Sequence, residues 1–490
     1  MPFKPVILWT DALVFVLVAA VIGFGWYVSR HEHLLAPWRK VAASRYGMCA
    51  LVVLSVFIIV GLLDTLHYRV RLDGGQADGK SSYSVEVLSV FDLLAGPLRT
   101  RSERTYSAPF SAYAYAKETV THPDGTQARE YPRLKYGGAH LEDPSRERLP
   151  DVLRRALAGL GLAAVLWIFL TTLLAAWLAQ RGSAPFARVL SEILRGQTEV
   201  PWRAMLLTAG LLLAVAAPTA VLSLHYHVLG TNTVGQDVLY QTLKSIRTGL
   251  VIGTLTTLIM LPFALVLGLM AGYFRGPVDD LIQYVYTTLN SIPGVLLIAA
   301  SVLLSQLWMD RHPELFGETV AERADVRLLF LCLILGITSW TGLCRLLRGE
   351  ALKLCEMEYV LAARAFGVSD WGIILRHLLP NVMHIVLIAV VMDFSGLVLA
   401  EAVLSYVGVG VDPSMISFGT MINNARLELA RDPMVWWSLV AAFAFMFVLV
   451  LAANLFSDAV RDAFDPRMRT GFSLFLPFRA RPPLAVRATR

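Results

Sequence analysis

Apolar residues along this chain fall into nine blocks, each roughly 20 residues long and separated by polar links. A helix needs about 20 apolar residues to cross the ~30 Å hydrocarbon core of a bilayer, whereas soluble proteins show shorter, amphipathic elements. The pattern therefore predicts an all-α polytopic membrane protein with about nine transmembrane helices. The predicted spans are 6–28, 47–66, 155–178, 204–224, 247–273, 281–308, 327–344, 383–407 and 435–456.

Composition agrees with a membrane protein and argues against nucleic-acid binding. Charged residues make up 16% of the chain, against about 25% in soluble domains. The net charge of +6 is explained by Lys and Arg in cytoplasmic links, and the sequence has no aromatic-basic repeat. Membrane lipid is thus an expected partner and nucleic acid is not.

The positions of the basic residues predict the orientation of the chain. Arg and Lys cluster in the links 30–46, 179–203 and 345–382 and in the tail after 456. Cytoplasmic links of membrane proteins are enriched in these residues. Nine spans with an external N-terminus and a cytoplasmic C-terminus place all four clusters inside, whereas losing one span would move some of them outside.

Two segments between spans are predicted to have their own structure. The 67–154 loop would be external, and its Tyr, Gly and Pro content suggests a small ordered subdomain. Residues 184–196 carry an apolar stripe at helical spacing, which predicts either an interfacial helix on the membrane or a helix packed on a neighbouring segment. The stripe consists of Phe186, Val189, Leu190, Ile193 and Leu194.

The chain lacks the short motifs of several enzyme classes. It has no G-x-x-x-x-G-K-[ST] phosphate loop, no H-E-x-x-H and no G-x-S-x-G. The sequence therefore predicts no ATP hydrolysis by this chain, no catalytic residues and no metal or cofactor site of its own.

Two carboxylates lie deep inside the eighth predicted span. Asp393 and Glu401 are eight residues apart, slightly over two helical turns, so they would lie on one face. A charged residue at the centre of a membrane helix costs about 2.5–3.5 kcal/mol on insertion scales, so both are expected to point into the bundle. They could line a translocation path, or they could serve only in hydrogen bonds between helices.

The most informative segment is the predicted cytoplasmic loop 345–382. An Ala-rich helix begins near Glu358 and stops at Gly367, and Ser369 or Asp370 caps a second helix that is expected to end before Pro380. A helix-turn-helix that protrudes from a membrane protein is suited to docking a partner.

This loop resembles the E-A-A-x-x-x-G-x(9)-I-x-L-P signature of binding-protein-dependent ABC importer permeases. The matching positions are Ala362, Ala363, Gly367, Leu379 and Pro380, with Leu361 at the Glu position and His377 at the Ile position. The run from Tyr359 to Ser369 is similar to the C-type permease of the dipeptide/oligopeptide branch. The resemblance implies that the loop couples to the ATPase through Glu358, Tyr359, Ala362, Ala363, Arg364, Gly367, Ser369, Asp370, Arg376 and Pro380.

Four further segments resemble the same branch, in the same order along the chain. The run 227–239 resembles H-x-L-G-T-D-x-x-G-R-D-V-L, and 271–276 resembles A-G-Y-F-G-G. The runs 401–410 and 454–467 resemble E-A-x-L-S-F-L-G-L-G and N-L-L-G-D-x-L-R-D-x-L-D-P-R. The first implies an external gate at Gly230, Thr231, Gly235 and Asp237. Departures from the usual residues occur at Asn232, Gln236, Tyr284 and Thr287.

The resemblance implies a type I importer core of six spans over 184–470. Residues 1–183 would be an extension with three spans and the 67–154 loop, and 471–490 a basic cytoplasmic tail. The implied partners are a second, homologous permease, two ATPase subunits that bind ATP and Mg, and an external substrate-binding protein. The protein would then form half of the path for peptides or peptide-like solutes across a bacterial inner membrane.

Two other functions are compatible with the sequence. The chain could be a non-transporting membrane scaffold that kept the permease fold, a reading prompted by the long extension. A secondary transporter or membrane enzyme would draw on the Asp393 and Glu401 pair. Intact spacing in the 358–380 loop argues against the scaffold, because a scaffold would have little use for it.

Overall fold

The computed structural model describes residues 3–71, 83–121, 127–182, 184–316 and 319–464. Within these residues, nine helical runs are long and apolar enough to cross a membrane, and each overlaps one predicted span. They are Trp9–Ser29, Arg45–Thr65, Pro144–Gly182, Trp202–Ser223, Val238–Phe274, Gly294–Arg311, Val320–Leu354, Asp370–Tyr406 and Trp437–Phe464. The predicted tail 471–490 lies outside the described residues.

The N-terminal part combines three membrane helices with short strands. Strands β1 (Phe3–Val6), β2 (His67–Val70) and β3 (Leu88–Ser89) form an antiparallel sheet in which Phe3 faces Val70, and β4 (Glu118–Thr121) pairs with β5 (Gln127–Glu130). In chain order the elements are β1 (Phe3–Val6), α1 (Trp9–Ser29), α2 (Glu32–Ala43), α3 (Arg45–Thr65), β2 (His67–Val70), β3 (Leu88–Ser89), α4 (Val90–Leu94), α5 (Gly96–Thr100), β4 (Glu118–Thr121), β5 (Gln127–Glu130) and α6 (Pro144–Gly182).

The rest of the described chain is helical. Its elements are α7 (Phe186–Arg195), α8 (Trp202–Ser223), α9 (Val238–Phe274), α10 (Gly276–Ser291), α11 (Gly294–Arg311), a 3-10 turn (Pro313–Leu315), α12 (Val320–Ser339), α13 (Thr341–Leu354), α14 (Glu358–Ala365), α15 (Asp370–Ile373), a π-helical turn (Ile374–Leu378), α16 (Leu379–Tyr406), α17 (Phe418–Leu429) and α18 (Trp437–Phe464).

The sixth span is not the continuous 281–308 helix that the hydrophobic pattern predicts. The helix breaks at Ile292, which adopts an extended conformation, and restarts at Gly294. Pro293 explains the break, because its ring disfavours a helical conformation in the residue before it. Only α11 remains as the membrane-crossing helix in this region.

Helix α7 packs on its neighbours through the centre of its predicted apolar stripe. Val189 and Ile193 are buried against Ala175 of α6 and Leu206 of α8. Phe186 and Leu194 at the edges of the stripe stay exposed. The packed-helix alternative is therefore the one that the structure favours.

Helix α3 integrates the N-terminal part into the bundle formed by α9 and α18. At two positions along α3 only glycine leaves room for the neighbouring helix. A Cβ at Gly47 would lie 2.5 Å from Ala459 of α18, and one at Gly61 would lie 2.6 Å from Leu250 of α9. Small residues at such contacts let the helix backbones approach closely. The resulting van der Waals packing is a main driving force for helix association in lipid. Leu54 and Phe57 are buried in the same contact.

Candidate coupling surface and external gate

Residues 358–380, named here the coupling hairpin, turn sharply at Gly367. Gly367 has φ of 75°, its N–H donates to the carbonyl of Arg364 at 3.0 Å, and the Val368 N–H donates to that of Ala363 at 3.1 Å. This is the hydrogen-bonded C-terminus that glycine commonly gives a helix. The hydroxyl of Ser369 then accepts from the Gly372 N–H at 3.3 Å. The predicted glycine stop and serine cap are both confirmed.

The prediction that the second helix ends before Pro380 is wrong. The chain passes from α15 through the π-helical turn 374–378 directly into α16, so helical structure runs from Asp370 to Tyr406. A proline inside a helix removes one hydrogen bond and crowds the carbonyl four residues earlier, and a π-helical turn relieves this locally. Asn381 supports the turn, since its side-chain amide donates to the carbonyl of His377 at 2.6 Å. The hairpin is thus continuous with a membrane helix.

The inner side of the coupling hairpin is anchored in the helix bundle. Val360 and Ala363 of α14 are buried together with Ile373 and Leu378 in the cluster around the ends of α9, α10 and α13. The hydroxyl of Tyr273, in α9, donates to Asp370 at 2.6 Å. The guanidinium of Arg364 lies 5.1 Å above the Tyr273 ring. The hairpin is therefore held as a rigid element.

The outer side of the hairpin is apolar and open. The side chain of Phe366 at the turn is 88% exposed, the highest value among the exposed large apolar residues. Exposed apolar clusters of this kind mark interaction sites. The exposed apolar members are Tyr359, Leu361, Phe366, Val368, Trp371 and Leu375. The remaining predicted coupling residues Glu358, Ala362, Arg376 and Pro380 are exposed as well.

A bidentate ion pair fixes the helices beneath the hairpin. Nε and Nη2 of Arg348, in α13, donate to the two carboxylate oxygens of Asp279, in α10, at 2.5 and 2.7 Å. These bonds hold the pKa of Asp279 below its usual value. The contact lies next to a close crossing of α9 and α13, where a Cβ at Gly272 would lie 2.5 Å from Ala351.

On the opposite side of the bundle, His227 is buried between two carboxylates. Its Nδ1 lies 2.7 Å from Asp237 and its Nε2 lies 3.3 Å from Glu103, which belongs to the 67–154 loop. Burial alone would lower the pKa of His227, but the contacts with Asp237 and Glu103 raise it to about 9. The imidazolium form therefore donates to both acids. Glu103, His227 and Asp237 are named here the gate latch.

Glu103 also holds the 67–154 loop together. Its carboxylate accepts from the backbone N–H groups of Lys135, Tyr136 and Gly137 at 2.8, 2.8 and 3.1 Å. Burial raises the pKa of Glu103, but the bonds from His227 and from the three N–H groups lower it to about 2. One carboxylate thus joins the loop to the segment that precedes α9.

Three of the four predicted gate residues, Gly230, Thr231 and Gly235, lie against the 67–154 loop, and the fourth, Asp237, bonds to His227. The Thr231 hydroxyl accepts from the Ser107 N–H at 2.7 Å, and the Gly235 carbonyl accepts from the Glu103 N–H at 2.9 Å. Gly230 and Gly235 have φ of 71° and 73°. A Cβ at Gly230 would lie 2.5 Å from the Ser107 carbonyl. Asp237 caps α9 by accepting from the Leu239 N–H at 2.8 Å.

The four positions that depart from the usual branch residues divide into two pairs. Asn232 accepts from the N–H groups of Val234 and Gln236 at 3.0 and 2.9 Å, and Gln236 accepts from the Gln241 amide at 2.8 Å, so this pair stabilises its own turn. Tyr284 and Thr287 lie about one turn apart on α10, and both are exposed.

The two intramembrane acids of α16 have different surroundings. Glu401 is fully buried and accepts from the hydroxyls of Ser405 and Ser417 at 2.7 and 2.9 Å. Asp393 is half-buried and has no hydrogen-bond or ion-pair partner in the described part of the chain. Glu401 is thus satisfied inside the subunit, whereas Asp393 is available to a group outside it.

Sequence reasoning missed a buried charge network between α1, α9 and α12. Arg247 donates to Asp11 at 2.6 Å and lies 3.8 Å from Asp325, while His67 lies 2.7 Å from Asp11. Thr10 donates to Asp325 through its backbone and its hydroxyl. The sequence alone does not reveal this pairing, because Asp11 and Arg247 are 236 positions apart in the chain. Among the described residues, no group of His, Cys, Asp and Glu could hold a metal ion.

Comparison with known proteins identifies relatives of the helical part of this chain. Residues 264–470, which include the coupling hairpin and α16, match the family described as binding-protein-dependent transport system inner membrane component. The oligopeptide permease OppC of Mycobacterium bovis is 32% identical over 244 residues, which cover 50% of this chain and 77% of OppC.

Two other relatives belong to dipeptide and glutathione systems. The dipeptide permease DppC of Lactococcus lactis is 30% identical over 49% of this chain and 64% of DppC. The glutathione permease GsiD of Pectobacterium atrosepticum is 31% identical over 50% of this chain and 74% of GsiD. With the nine apolar helices and the coupling hairpin, these matches establish that the chain is a multi-pass bacterial membrane protein of the dipeptide/oligopeptide branch of ABC importer permeases.

Proposed function

We propose that this chain is the transmembrane subunit of an ATP-driven importer and forms half of the translocation path for peptides or peptide-like solutes. The observation that carries the proposal is the coupling hairpin, with an inner side buried in the bundle and an outer side of exposed apolar residues around Phe366. Movement of a docked ATPase would pass through the hairpin into α16, because the second half of the hairpin and α16 form one helical run, Asp370–Tyr406.

The proposed partners follow the family. A second permease would complete the path, two ATPase subunits would bind ATP and Mg and dock on the hairpin, and a binding protein would deliver the solute from outside. Asp393 would face the path, because an unpaired carboxylate is poorly tolerated against lipid. The gate latch would stabilise the external end of α9.

The proposed organisation retains residues 1–183 as an extension and 184–470 as the importer core. The N-terminus would be external and the C-terminus cytoplasmic. Contacts support this sidedness, since segments assigned to the same side meet. The 67–154 loop contacts the segment 225–237, and Trp38 of the first basic link packs against Phe464 with ring centroids 5.5 Å apart.

A direct test is to purify the full chain from its native membrane in mild detergent and identify the proteins that accompany it. We expect a homologous permease and phosphate-loop ATPases. Phe366→Ala should weaken ATPase recovery without changing the abundance of the chain, since the ring is exposed. Tyr46→Ala removes another exposed aromatic ring, 80% exposed at the start of α3, and should leave recovery unchanged.

The same preparation separates the importer from a scaffold. Reconstituted into liposomes, the complex should accumulate a labelled tripeptide only when ATP is supplied. A chain that keeps its partners but shows no ATP-dependent uptake for any peptide would support the scaffold. Equal ATPase recovery from Phe366→Ala, Tyr46→Ala and the unaltered chain would remove the hairpin as the docking surface.

A further inference from the structure

A groove of about 680 Å³ lies in the 67–154 loop directly beside the gate latch. Its walls are the segments 102–105 and 132–135, with Ala114 and the start of β4 at the other side. Binding sites for small molecules have volumes of roughly 300–1,000 Å³. The groove is therefore large enough for a short peptide.

The charged side chains of the groove are largely unpaired. Arg104 and Lys135 are exposed, and neither has a carboxylate partner in the part of the chain that the structure describes. Lys135 instead lies 4.9 Å above the ring of Tyr136. Glu118 is half-buried on the same lining and has no cationic partner among the described residues. Glu103 is excluded from this set, because its carboxylate is already bonded to His227 and to three backbone N–H groups.

Unpaired cations and an unpaired carboxylate on one lining complement a zwitterion. A carboxylate would accept charge-assisted hydrogen bonds from Arg104 and Lys135, and an ammonium group would donate to Glu118. We propose that this groove binds a short peptide through its free termini, as a recognition site on the permease subunit itself. The proposal rests on the importer function above for its choice of ligand class.

The walls of the groove connect the site to the gate. Arg104 follows Glu103 directly in the chain, and the Lys135 N–H is one of the three that Glu103 accepts. The Thr105 carbonyl accepts from the Thr231 hydroxyl at 2.8 Å. A ligand held between these walls would therefore touch residues adjacent to the latch and to the gate turn.

The test is calorimetric titration of the full chain, in lipid nanodiscs at low salt, with trialanine. We expect saturable binding that weakens as salt is raised, since exposed charges are screened. N-acetyl-trialanine amide, which lacks both charged termini, should not bind. Arg104→Gln combined with Lys135→Gln should raise the Kd by about tenfold or more, as should Glu118→Gln. Lys117→Gln, at an exposed lysine outside the groove lining, should leave the Kd unchanged.

The outcomes are separable from the importer proposal, because the titration needs neither ATP nor partner chains. Absence of saturable binding, or equal binding of trialanine and its capped form, would overturn the groove site even in a complex that imports peptides. The same holds if the groove variants and Lys117→Gln bind alike. If the groove variants bind peptide normally but no longer associate with a purified binding protein, the peptide site is overturned. The groove would then be a contact surface for the binding protein.

Discussion

The carboxylate of Glu103, in the 67–154 loop, lies 3.3 Å from Nε2 of His227, and both side chains are buried. The two residues belong to parts of the chain 124 positions apart, one in the extension and one just before α9. With Asp237 on the other ring nitrogen, the histidine joins both parts in one small charged cluster. The 67–154 loop is thus bonded directly to the predicted gate segment.

The latch predicts a specific dependence of stability on pH. The pKa of Glu103 falls from 4.5 to about 2, so its contribution is complete above pH 4.5 and is lost as the pH falls toward 2. The pKa of His227 rises from 6.5 to about 9, so its contribution is complete below pH 6.5 and is lost as the pH rises through 9. The Tm of the purified chain should therefore be highest between these limits. Its decline on the alkaline side should be smaller in His227→Gln.

Removing one partner of a buried ion pair costs about 3–5 kcal/mol, so His227→Gln should also lower the Tm throughout. His312→Gln, in the link after α11, is the matched control and should keep both the Tm and the alkaline decline. An unchanged alkaline limb in His227→Gln would show that the histidine is not the titrating group.

A comparison of Gly235, at the predicted gate, with Gly408, just after α16, separates the cost of backbone strain from the cost of close packing. Gly235 and Gly408 have φ of 73° and 85°, where alanine is strained by about 1–2 kcal/mol. At Gly408 no atom lies within 4 Å of an added Cβ, whereas at Gly235 the added carbon overlaps the Glu103 carbonyl. Gly235→Ala should therefore lower the Tm clearly more than Gly408→Ala. Equal losses of Tm would mean that the 67–154 loop does not pack on the gate turn.

Features of the fold that depend on residues close together in the chain could be predicted from the sequence, whereas contacts between distant residues could not. The nine helical runs follow from apolar length, and the turn at Gly367 and the cap at Ser369 follow from local chemistry. The break at Pro293 was missed because the hydrophobic pattern continues across it. The π-helical turn is not predictable from the sequence, because Pro380 indicates the end of a helix, whereas in the structure the turn accommodates the proline.

Pairings between distant polar residues were not predictable. Nothing in a single sequence distinguishes Glu103 from the other acids of the 67–154 loop, and a charge near a span end has many possible partners. The 358–380 loop could be placed because its residues are neighbours in the chain. The latch and the α1–α9 network could not, because their geometry depends on how the extension packs.

The pair Asp11 and Arg247 should stabilise the contact between the extension and the core. Asp11→Asn removes the carboxylate charge 2.6 Å from the buried Arg247 guanidinium, which keeps only Asp325 at 3.8 Å, and should cost about 3 kcal/mol. Glu192→Gln breaks an exposed pair with Arg188 at 3.0 Å and should cost less than about 1 kcal/mol. Chemical denaturation in detergent compares the two. A loss no greater for Asp11→Asn than for Glu192→Gln would contradict the network.

The two acids of α16 should respond differently to substitution. Glu401→Ala leaves the hydroxyls of Ser405 and Ser417 without their acceptor and should lower stability by about 1–3 kcal/mol. Asp393→Asn removes no contact in the described chain, so the Tm should hold while ATP-driven peptide uptake falls. If Asp393→Asn lowers the Tm as much as Glu401→Ala does, Asp393 stabilises the fold and has no separate role in transport. Uptake by the unaltered chain without any ATPase would instead favour a secondary transporter.

The turn of the coupling hairpin offers the sharpest test of transmission. Gly367 has φ of 75°, and nothing lies within 4 Å of an added Cβ, so a substitution acts through the backbone alone. Gly367→Val cannot hold this conformation without strain, because β-branched residues are disfavoured at positive φ, whereas Asn tolerates it. We expect Gly367→Val to reach normal abundance yet lose ATPase recovery and ATP-driven uptake, and Gly367→Asn to keep most of both. Normal uptake by Gly367→Val at wild-type abundance would mean that the tight turn is not needed for coupling. If the Val and Asn variants lose ATPase recovery and uptake equally, the backbone conformation is not the cause. Coupling would then need an unobstructed surface at residue 367, where the ATPase docks.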